Sequence, residues 1–331
     1  MRVAGIQAAP IFLDRQATLD KMLSLIAEAA REGAELCAFP EVFLSGYPAW
    51  LSLTGGARFN DDRQKEAYAV LLDQAVRLDG PEVRALERAA REHRIFVYAG
   101  MSERGLTEHQ GRGTVYCTLL AIDPQRGVVN VHRKLKPTYE ERLVWGDGDG
   151  GGLRVLPYQG WRIGGLICWE NWMPLARTAL YAQGEELHVS VWPGNPSLVM
   201  DNGRFVALEG RVYVLAVCGI LRAEDIPPTF PLREDMLAHG NVFYRGGTSI
   251  FAPDGTLVAG PLVDVEGIVY ADIDSRMVSR ERQNFDPTGH YARPDVFRLR
   301  VDRRRRLSVS FRDGPGDDRP SEKRSRADST D

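Results

Sequence analysis

The alternation of short apolar runs with amphipathic helical patterns most strongly limits how this chain can fold. Residues 3–8 and 36–39 are apolar runs typical of buried strands, and residues 18–31 between them carry apolar side chains at helical spacing. The same order returns at residues 163–167, 174–183 and 187–192. Two other neighbouring strands, at residues 114–122 and 128–132, are separated by the turn residues of a hairpin. The pattern therefore predicts an α/β fold with mixed rather than purely parallel sheets.

The end of the chain differs from the rest. No internal repeat and no linker rich in Gly, Ser or Pro divides residues 1–301, so the sequence predicts one domain with two sheets. Residues 302–331 are charged and nearly without large apolar side chains after Phe311. They are predicted to form a flexible C-terminal tail. A partner-binding or nucleic-acid-binding role for the arginines at 303–306 is the alternative, although nearby acidic residues largely cancel their charge.

Charge, hydropathy and cysteine spacing limit the compartment and the partners. The formal net charge is −3, which gives no reason to expect nucleic acid or a membrane surface as a partner. The N-terminus lacks the apolar core of a signal peptide, and the longest apolar run, residues 212–218, is far too short to span a bilayer. The cysteines show no CxxC spacing, so neither a disulfide framework nor a zinc site is expected. A cytoplasmic protein is predicted.

The four cysteines differ in their surroundings. Cys37, Cys117 and Cys218 each lie inside an apolar, strand-like run, where a cysteine is typically a small buried hydrophobe. Cys168 instead ends the strand-like run at residues 162–168 and is followed at once by a polar and aromatic turn. A thiol at such a junction faces a cleft, where backbone N–H groups can lower its pKa and bind an oxyanion. Its position alone leaves Cys168 open between a catalytic thiol and a buried one.

Two charged residues at strand ends could serve such a thiol, which needs a base and a group that stabilises developing charge. Glu41 ends a buried strand and precedes an apolar, aromatic segment, so its carboxylate should be partly desolvated and its pKa raised. A capping or surface role is the alternative for Glu41. Lys134 lies among basic residues at the end of another strand, where a solvated cluster is the common outcome. No signature pairs a histidine with Cys168, and a Cys–His enzyme stays open at this point.

Three segments, in their order along the chain, resemble the motifs of the nitrilase superfamily, whose members use a Glu–Lys–Cys triad. Phe-Pro-Glu at residues 39–41, with Gly-Tyr-Pro at 46–48, resembles the glutamate motif. His-Arg-Lys-Leu-Lys-Pro-Thr at residues 132–138, continuing to Asp149, is similar to the lysine motif. Gly-Gly-Leu-Ile-Cys-Trp-Glu-Asn at residues 164–171 is similar to the cysteine motif. The similarity extends over about residues 1–300.

This resemblance implies a fold, an assembly and a branch of the superfamily. The implied fold is a four-layer α-β-β-α sandwich with two mixed sheets. The implied assembly is a homodimer or a larger homo-oligomer, often a spiral one. The long lysine motif, the Cys-Trp-Glu-Asn run at 168–171 and residues 289–295 point to the true nitrilase branch. One departure is Gly-Gly at 150–151, where nitrilases commonly have Gly-Ser, and it concerns a loop rather than the triad.

The resemblance also implies roles for particular residues. Cys168 is the nucleophile, Glu41 is the general base and Lys134 is the cation that stabilises charge on the substrate. Glu141 is implied as a second glutamate near Lys134, and its neighbour Glu140 is less favoured by register. The implied reaction is hydrolysis of an organic nitrile by water to a carboxylic acid and ammonia, through a thioimidate and an acyl-enzyme. It requires no metal and no organic cofactor.

Aromatic residues near the motifs are candidate substrate contacts. Tyr47, Trp169 and Trp192 are predicted to bind the nitrile, and the backbone N–H of Trp169 is predicted to assist Lys134. Three further tryptophans lie near the same loops: Trp50, Trp145 and Trp172. Packing in the core or in an interface is the common alternative for such side chains. Aromatic or bulky aliphatic nitriles are therefore the expected substrates.

Three other functions stay open at this point. An amidase or N-carbamoyl hydrolase would use the same triad on a different carbon–nitrogen bond. A cyanide hydratase or dihydratase would use it on HCN. A non-catalytic oligomeric scaffold belongs to a different class, and it would have no chemical need for Glu41, Lys134 and Cys168 together.

Overall fold

A computed structural model describes residues 1–105, 113–307 and 309 of the chain, so most of the predicted tail at 302–331 lies outside the described residues. Within this part of the chain, thirteen strands form two sheets. In chain order the strands are β1 (Arg2–Gln7), β2 (Leu36–Ala38), β3 (Phe96–Arg104), β4 (Val115–Asp123), β5 (Gly127–Arg133), β6 (Leu156–Tyr158), β7 (Trp161–Ile167), β8 (Leu187–Trp192), β9 (Tyr213–Cys218), β10 (Ile220–Arg222), β11 (Val242–Phe251), β12 (Leu257–Val263) and β13 (Gly267–Asp272).

Eight α-helices accompany these strands in the described ranges. They are α1 (Arg15–Arg31), α2 (Trp50–Leu53), α3 (Asp62–Gln74), α4 (Pro81–His93), α5 (Pro174–Tyr181), α6 (Pro196–Gly210), α7 (Arg233–Leu237) and α8 (Ser275–Glu281). Their starts follow from local chemistry. The Asp14 side chain accepts the Ala17 N–H at the start of α1, and a proline occupies the first turn of α4, α5 and α6. None of the described helices is both long and apolar enough to cross a membrane.

Both sheets are mixed, as predicted. The first has the order β13-β1-β2-β3-β4-β5, in which β1, β2 and β3 run parallel and the remaining pairs are antiparallel. The second has the order β10-β11-β9-β8-β7-β6, with β12 paired to β11, and its parallel strands are β7, β8 and β9. The predicted hairpins of β4 with β5 and of β11 with β12 both form.

Apolar side chains stack these elements into four layers. The facing sides of the two sheets share one buried cluster, which includes Leu119 of β4 and Val191 of β8. The outer side of the first sheet packs against α1 and α4 through residues such as Met22 and Leu86. The second sheet is covered by α5, which inserts Leu180, and by α6, which lies against β9 and β11. Removal of this apolar surface from water supplies the main stabilisation of the sandwich. The predicted α-β-β-α architecture is confirmed.

The ends of three strands bring the motif residues to one place. Glu41 comes shortly after β2, Lys134 directly follows β5, and Cys168 directly follows β7. Since β2 and β5 belong to the first sheet and β7 to the second, their carboxyl ends meet across the interface between the sheets. The fold thus assembles in space three segments that are far apart in sequence.

Two of the longer helices, α3 and α6, differ from the predictions, whereas α4 and β8 have the predicted bounds. The short helices α2 and α7 also carried no prediction. The helix predicted at residues 204–209 extends over the whole of α6. Gly203 weakens the helical pattern in its first half, but Phe251 packs so closely that a Cβ on Gly203 would lie 2.5 Å from its ring. Helix α3 carried no prediction, because it buries little apolar surface, with Ala67 and Leu71 as its buried residues.

Candidate active site

Glu41 lies in a strained turn just beyond β2 and is 2% exposed. The next residue, Val42, has a φ of 51°, a left-handed conformation that is unfavourable for a β-branched side chain. Gly100 of β3 makes this turn possible, because a Cβ at that position would lie 2.5 Å from the backbone nitrogen of Val42. The close approach of β3 therefore holds the Glu41 carboxylate inside the protein.

Lys134 extends the β4–β5 ladder by one residue and is 1% exposed. Its backbone N–H donates to the carbonyl of Cys117 at 2.8 Å. Its ammonium donates to Oε1 of Glu41 at 2.8 Å and to Oε2 of Glu141 at 2.6 Å. An unpaired ammonium would be very costly to bury, so the two carboxylates keep this charge in the interior.

Glu141 lies in the 3-10 helix Tyr139–Leu143. Both of its carboxylate oxygens accept hydrogen bonds, unlike those of Glu41. Its Oε2 also accepts the backbone N–H of Thr138 at 2.6 Å, and its Oε1 accepts the Tyr47 hydroxyl at 2.7 Å. By contrast, Oε2 of Glu41 is buried and has no hydrogen-bond partner among the described residues. Glu41 is thus the carboxylate with an oxygen available for proton transfer, whereas Glu141 is fixed by its neighbours.

Cys168 begins the 3-10 helix Cys168–Trp172 and has a φ of 55°. Such strain in a residue other than glycine is a frequent feature of functional turns. Its Sγ, one carboxylate oxygen of Glu41 and one of Glu141 all lie within 4.8 Å of one another. The backbone N–H of Trp169 also bonds to the thiol. The structure therefore brings Cys168, Glu41, Lys134 and Glu141 together in one buried group.

Burial dominates the ionisation of this group. It raises the pKa of Glu41 to about 7, with Lys134 lowering that pKa and Glu141 raising it. Burial and the two carboxylates raise the pKa of the Cys168 thiol well above its usual value, against the opposing effects of Lys134 and the Trp169 N–H. Burial alone would lower the pKa of Lys134, but its anionic neighbours hold that pKa well above the usual value. Near neutral pH the site holds a protonated thiol, an ammonium and a Glu41 carboxyl that can gain or lose a proton.

The same group has the spacing of a metal site but the wrong charge. Within the described ranges, one cluster of potential metal ligands has its ligand atoms close enough to share an ion. It consists of Glu41, Glu141 and Cys168. The Lys134 ammonium already bonds to both carboxylates. A metal ion between them would meet this positive charge at short range. The donor set therefore fits a buried ammonium better than a metal ion.

Glu170 ties the turn that carries Cys168 to the segment that carries Lys134. Its Oε2 accepts the Ile167 N–H at 2.9 Å and lies 2.9 Å from Nε2 of His132, while its Oε1 accepts the Leu135 N–H at 2.5 Å. Burial would raise the pKa of Glu170, but His132 and the two N–H groups lower it overall, so the carboxylate stays ionised. Glu170 carried no predicted role, although it lies inside the cysteine motif.

Asn171 fixes the same turn from its other side. Its Nδ2 donates to the Cys168 carbonyl at 2.8 Å, and its Oδ1 lies 2.7 Å from Nε2 of His188. The other ring nitrogen of His188 lies 2.9 Å from Oε1 of Glu185, and all of these side chains are buried. This chain of polar contacts also carried no prediction, because sequence spacing does not show that Asn171 and His188 meet.

Cys117 is buried as predicted, yet it does more than fill the core. Its Sγ lies 3.4 Å from Oε1 of Glu41, within the range of a thiol hydrogen bond. The signal that could have revealed this contact is the register of the predicted hairpin, because Thr118 pairs with Arg133 and Cys117 then stands opposite Lys134. Cys37 and Cys218 are buried strand residues, as predicted.

A cavity of about 260 Å³ opens directly above Cys168 and Glu141. The three predicted substrate contacts, Tyr47, Trp169 and Trp192, all line it. Phe243 and Tyr244 of β11 line it as well and carried no prediction, since they are distant from every motif in sequence. The edge-to-face contact of Tyr244 with Tyr47, at 5.5 Å between ring centroids, joins β11 to the glutamate motif.

The other tryptophans near the motif loops pack elsewhere. Trp50 is fully buried against Phe230. Trp145 is buried beneath the site, where its ring lies 5.8 Å from the Lys134 ammonium. Trp172 stacks on Phe205 of α6. For these three the alternative of packing is the one that the structure shows.

A four-layer sandwich that buries a cysteine, a lysine and two glutamates where its sheets meet is typical of hydrolases that act on carbon–nitrogen bonds. The chain belongs to the carbon–nitrogen hydrolase family, whose family model matches residues 2–283. The predicted family is thereby confirmed.

Individual proteins show the same relationship. An aliphatic nitrilase from Sinorhizobium fredii (strain HH103) is 40% identical over 313 residues, which cover 94% of this chain and 98% of that protein. Nitrilase 1 from Arabidopsis thaliana is 36% identical over 315 residues, covering 94% and 89% of the two chains. A crystal structure of an amidase from Nesterenkonia sp. superposes with a TM-score of 0.61 at 20% identity, covering 86% of this chain and 94% of the other. At that identity the likeness concerns the fold alone.

Proposed function

We propose that this protein is a nitrilase that hydrolyses an organic nitrile with two water molecules to a carboxylic acid and ammonia. The observation that carries the proposal is the buried group of Cys168, Glu41 and Lys134 beneath an aromatic cavity. The nitrilases among its relatives match nearly the whole chain, which supports a nitrile as the substrate. The predicted nitrilase function is in agreement with these relatives.

The first half of the proposed reaction forms a covalent intermediate. Oε2 of Glu41 takes the Cys168 proton as Sγ attacks the nitrile carbon, forming the S–C bond. One C–N π bond breaks, and the nitrile nitrogen takes up the electron pair and then the proton from Glu41. The product of this half is a thioimidate. The free thiol is protonated because of its burial, so proton removal and attack are best coupled.

The second half releases the two products. Glu41 removes a proton from a water molecule whose oxygen adds to the thioimidate carbon, and it passes this proton to the nitrogen. The C–N bond then breaks, the added hydroxyl gives its proton to the departing nitrogen, and ammonia and a thioester result. A second water molecule, activated in the same way, cleaves the S–C bond. The carboxylic acid leaves and the thiol regains its proton. Each water contributes its oxygen to the acid, so atoms and protons balance over the cycle.

Lys134 and the Trp169 N–H are proposed to stabilise the negative charge that develops on the substrate during both additions. Glu141 positions the ammonium through its bond of 2.6 Å to Nζ, and it is itself held by Thr138 and Tyr47. Tyr47, Trp169 and Trp192 are proposed to hold the side chain of the nitrile, which their place in the cavity wall supports. No metal or organic cofactor takes part in this scheme.

The protein is also proposed to associate with a second copy of itself, in a dimer or a larger homo-oligomer. Helices α5 and α6, joined by the ion pair of Arg177 with Glu209, expose a group of apolar side chains. Leu175 is 66% exposed, Phe205 is 43% exposed and Leu208 is 38% exposed. Apolar groups of this kind are typical of self-association surfaces.

A cytoplasmic location is also proposed for the protein. The four cysteines support this proposal, because none of them forms a disulfide.

Residues 1–301 are proposed to form the hydrolase domain, and residues 302–331 to form a C-terminal tail. The first residues of that tail are in contact with the domain. Arg305 and the backbone N–H of Arg306 each bond to Asp149 at 3.0 Å.

The experiment that tests the nitrilase proposal compares a nitrile with its matching amide. Purified protein is given phenylacetonitrile, phenylacetamide or HCN at equal concentrations, and ammonia, acid and amide are quantified. The expected result is equal amounts of acid and ammonia from the nitrile, and slower ammonia release from the amide. Faster hydrolysis of the amide would identify an amidase, and preferred turnover of HCN would identify a cyanide-converting enzyme. Absence of ammonia from all three would favour a scaffold.

A further inference from the structure

We propose that the preferred substrate is an uncharged aromatic nitrile, and that nitriles carrying a carboxylate are rejected. This inference rests on the proposed nitrilase function and concerns the same cavity. Two independent features of its wall carry the inference: the aromatic rings around it and the sign of its charge.

Aromatic side chains from five separate parts of the fold surround the cavity. They are Tyr47, Tyr139, Trp169, Trp192, Phe243 and Tyr244. Trp192 is fully buried at the inner end of the wall, whereas Tyr139 is 75% exposed and Trp169 is 49% exposed. The rings thus extend from the interior to the surface. Rings attract one another in edge-to-face or offset arrangements beyond the effect of area alone, so an aromatic substrate gains more here than a saturated one of equal size.

The size of the cavity limits the substrate to a small molecule. Its volume is about 260 Å³. Pockets for drug-sized ligands are typically about 300–1,000 Å³. A single ring with a short link to the nitrile carbon fits this volume.

The charge of the wall is negative. Among the described residues that line it, Glu140 and Glu141 are the carboxylates, and there is neither a lysine nor an arginine. Glu141 is neutralised by Lys134, whereas Glu140 forms no ion pair with any residue in the described ranges. A carboxylate on the substrate would therefore lie near Glu140 without a cation to offset the repulsion. A neutral substrate avoids this penalty.

The test uses two matched pairs of nitriles. Phenylacetonitrile and cyclohexylacetonitrile differ in aromaticity at similar size. The anion of 4-(cyanomethyl)benzoic acid and 4-nitrophenylacetonitrile differ in charge at similar shape. For each compound kcat/KM is measured from ammonia release. We expect the phenyl compound to exceed the cyclohexyl compound by about three- to tenfold, and the nitro compound to exceed the carboxylate by about tenfold or more.

Two variants test whether residues of the cavity wall determine these two ratios of kcat/KM. Phe243→Leu should lower the phenyl-to-cyclohexyl ratio, while Phe59→Leu, at a fully exposed ring outside the cavity, should leave it unchanged. Glu140→Gln should lower the nitro-to-carboxylate ratio, while Glu92→Gln on the exposed surface of α4 should leave it unchanged.

The possible failures are distinguishable. If none of the four compounds releases ammonia, the nitrilase function itself is wrong. If nitriles are hydrolysed but the cyclohexyl compound equals or exceeds the phenyl compound, the aromatic preference is overturned, and a preference like that named for the Sinorhizobium relative applies instead. If the carboxylate is used as well as the nitro compound, the inference about charge is overturned.

Discussion

The thiol of Cys117 on β4 lies 3.4 Å from Oε1 of Glu41, and both side chains are buried. The same oxygen accepts the Lys134 ammonium at 2.8 Å, which leaves Oε2 without a partner in the described part of the chain. Cys117 therefore helps to decide which carboxylate oxygen points towards the nucleophile. A thiol is a weak donor, so it stabilises the ionised carboxylate less than a hydroxyl would.

This contact predicts a shift in the pH dependence of activity. Glu41 must be ionised to act as a base, so kcat/KM should rise with pH through a midpoint near the pKa of about 7. Removing the donor in Cys117→Ala should raise the pKa of Glu41 and move this limb to higher pH. Cys117→Ser should move it to lower pH, each by less than about one unit. The groups that face Glu41 in both variants are unchanged: Lys134, Glu141, Cys168, Tyr47 and Tyr244.

The matched control for this shift is Cys37→Ala, which removes a thiol from the buried strand β2. Its pH profile should coincide with that of the unmodified protein. Identical midpoints for the alanine and serine variants at position 117 would show that Cys117 does not influence Glu41.

Glu170→Gln should damage stability and activity together. The neutral amide loses the charge-assisted bonds to the Ile167 and Leu135 N–H groups, and one of its NH2 hydrogens must point at a donor. We expect a loss of about 2–4 kcal/mol in the free energy of unfolding, measured by urea denaturation, and a lower kcat. Glu92→Gln on the surface serves as the control. Unchanged unfolding in Glu170→Gln would contradict the proposed anchoring of the two motif segments.

The start of the C-terminal tail should contribute to stability, and its remainder should not. Arg305 bonds to the nearly buried carboxylate of Asp149, which also accepts the Gly151 N–H at 2.9 Å. A chain that ends at residue 301 should lose about 1–2 kcal/mol in urea unfolding, whereas one that ends at residue 309 should match the full chain. Arg305→Ala should reproduce most of the loss, and Arg303→Ala should not. Equal stability of both truncated chains would show that these contacts contribute nothing.

Self-association through α5 and α6 should be sensitive to charge in the exposed apolar group. Leu208→Asp replaces one of these exposed apolar side chains by a carboxylate, which would be costly to bury in an interface. Sedimentation velocity should show a smaller species for this variant than for the unmodified protein, while Phe59→Asp at a fully exposed site keeps the original size. An unchanged assembly in Leu208→Asp would place the interface elsewhere.

Periodicity was enough to predict much of the fold. Helix α4 begins with a proline and shows strong amphipathic spacing. Strand β8 alternates apolar residues with His188 and Ser190, so both elements have clear local signals. Only the second half of helix α6 is predicted, because Gly203 weakens the local helical pattern. A glycine is needed there because the Phe251 ring packs directly against it, and a local pattern does not show that contact. Helix α3 was missed for a related reason, since it buries too few apolar residues to produce a pattern.

The residues of the candidate site also fall into two groups, those with a local sequence signal and those placed by long-range contacts. Cys168, Glu41 and Lys134 end predicted strands and lie in contiguous motifs, so the sequence could indicate them; their catalytic roles stay predictions until they are tested. Tyr244 reaches the cavity only because β11 crosses the second sheet next to β9 and β10. His188 reaches Asn171 only because β7 and β8 pair in parallel. Such long-range contacts depend on sheet order, which one sequence does not reveal.

The central claim, that Cys168 is the nucleophile, is tested most directly by ammonia release from Cys168→Ala beside Cys218→Ala. Both variants remove one buried thiol, and circular dichroism and urea unfolding verify that both are folded. With phenylacetonitrile, or the best nitrile of the panel above, Cys218→Ala should retain turnover and Cys168→Ala should fall to the uncatalysed background. Ammonia release by folded Cys168→Ala at a rate near that of the unmodified protein would contradict the account.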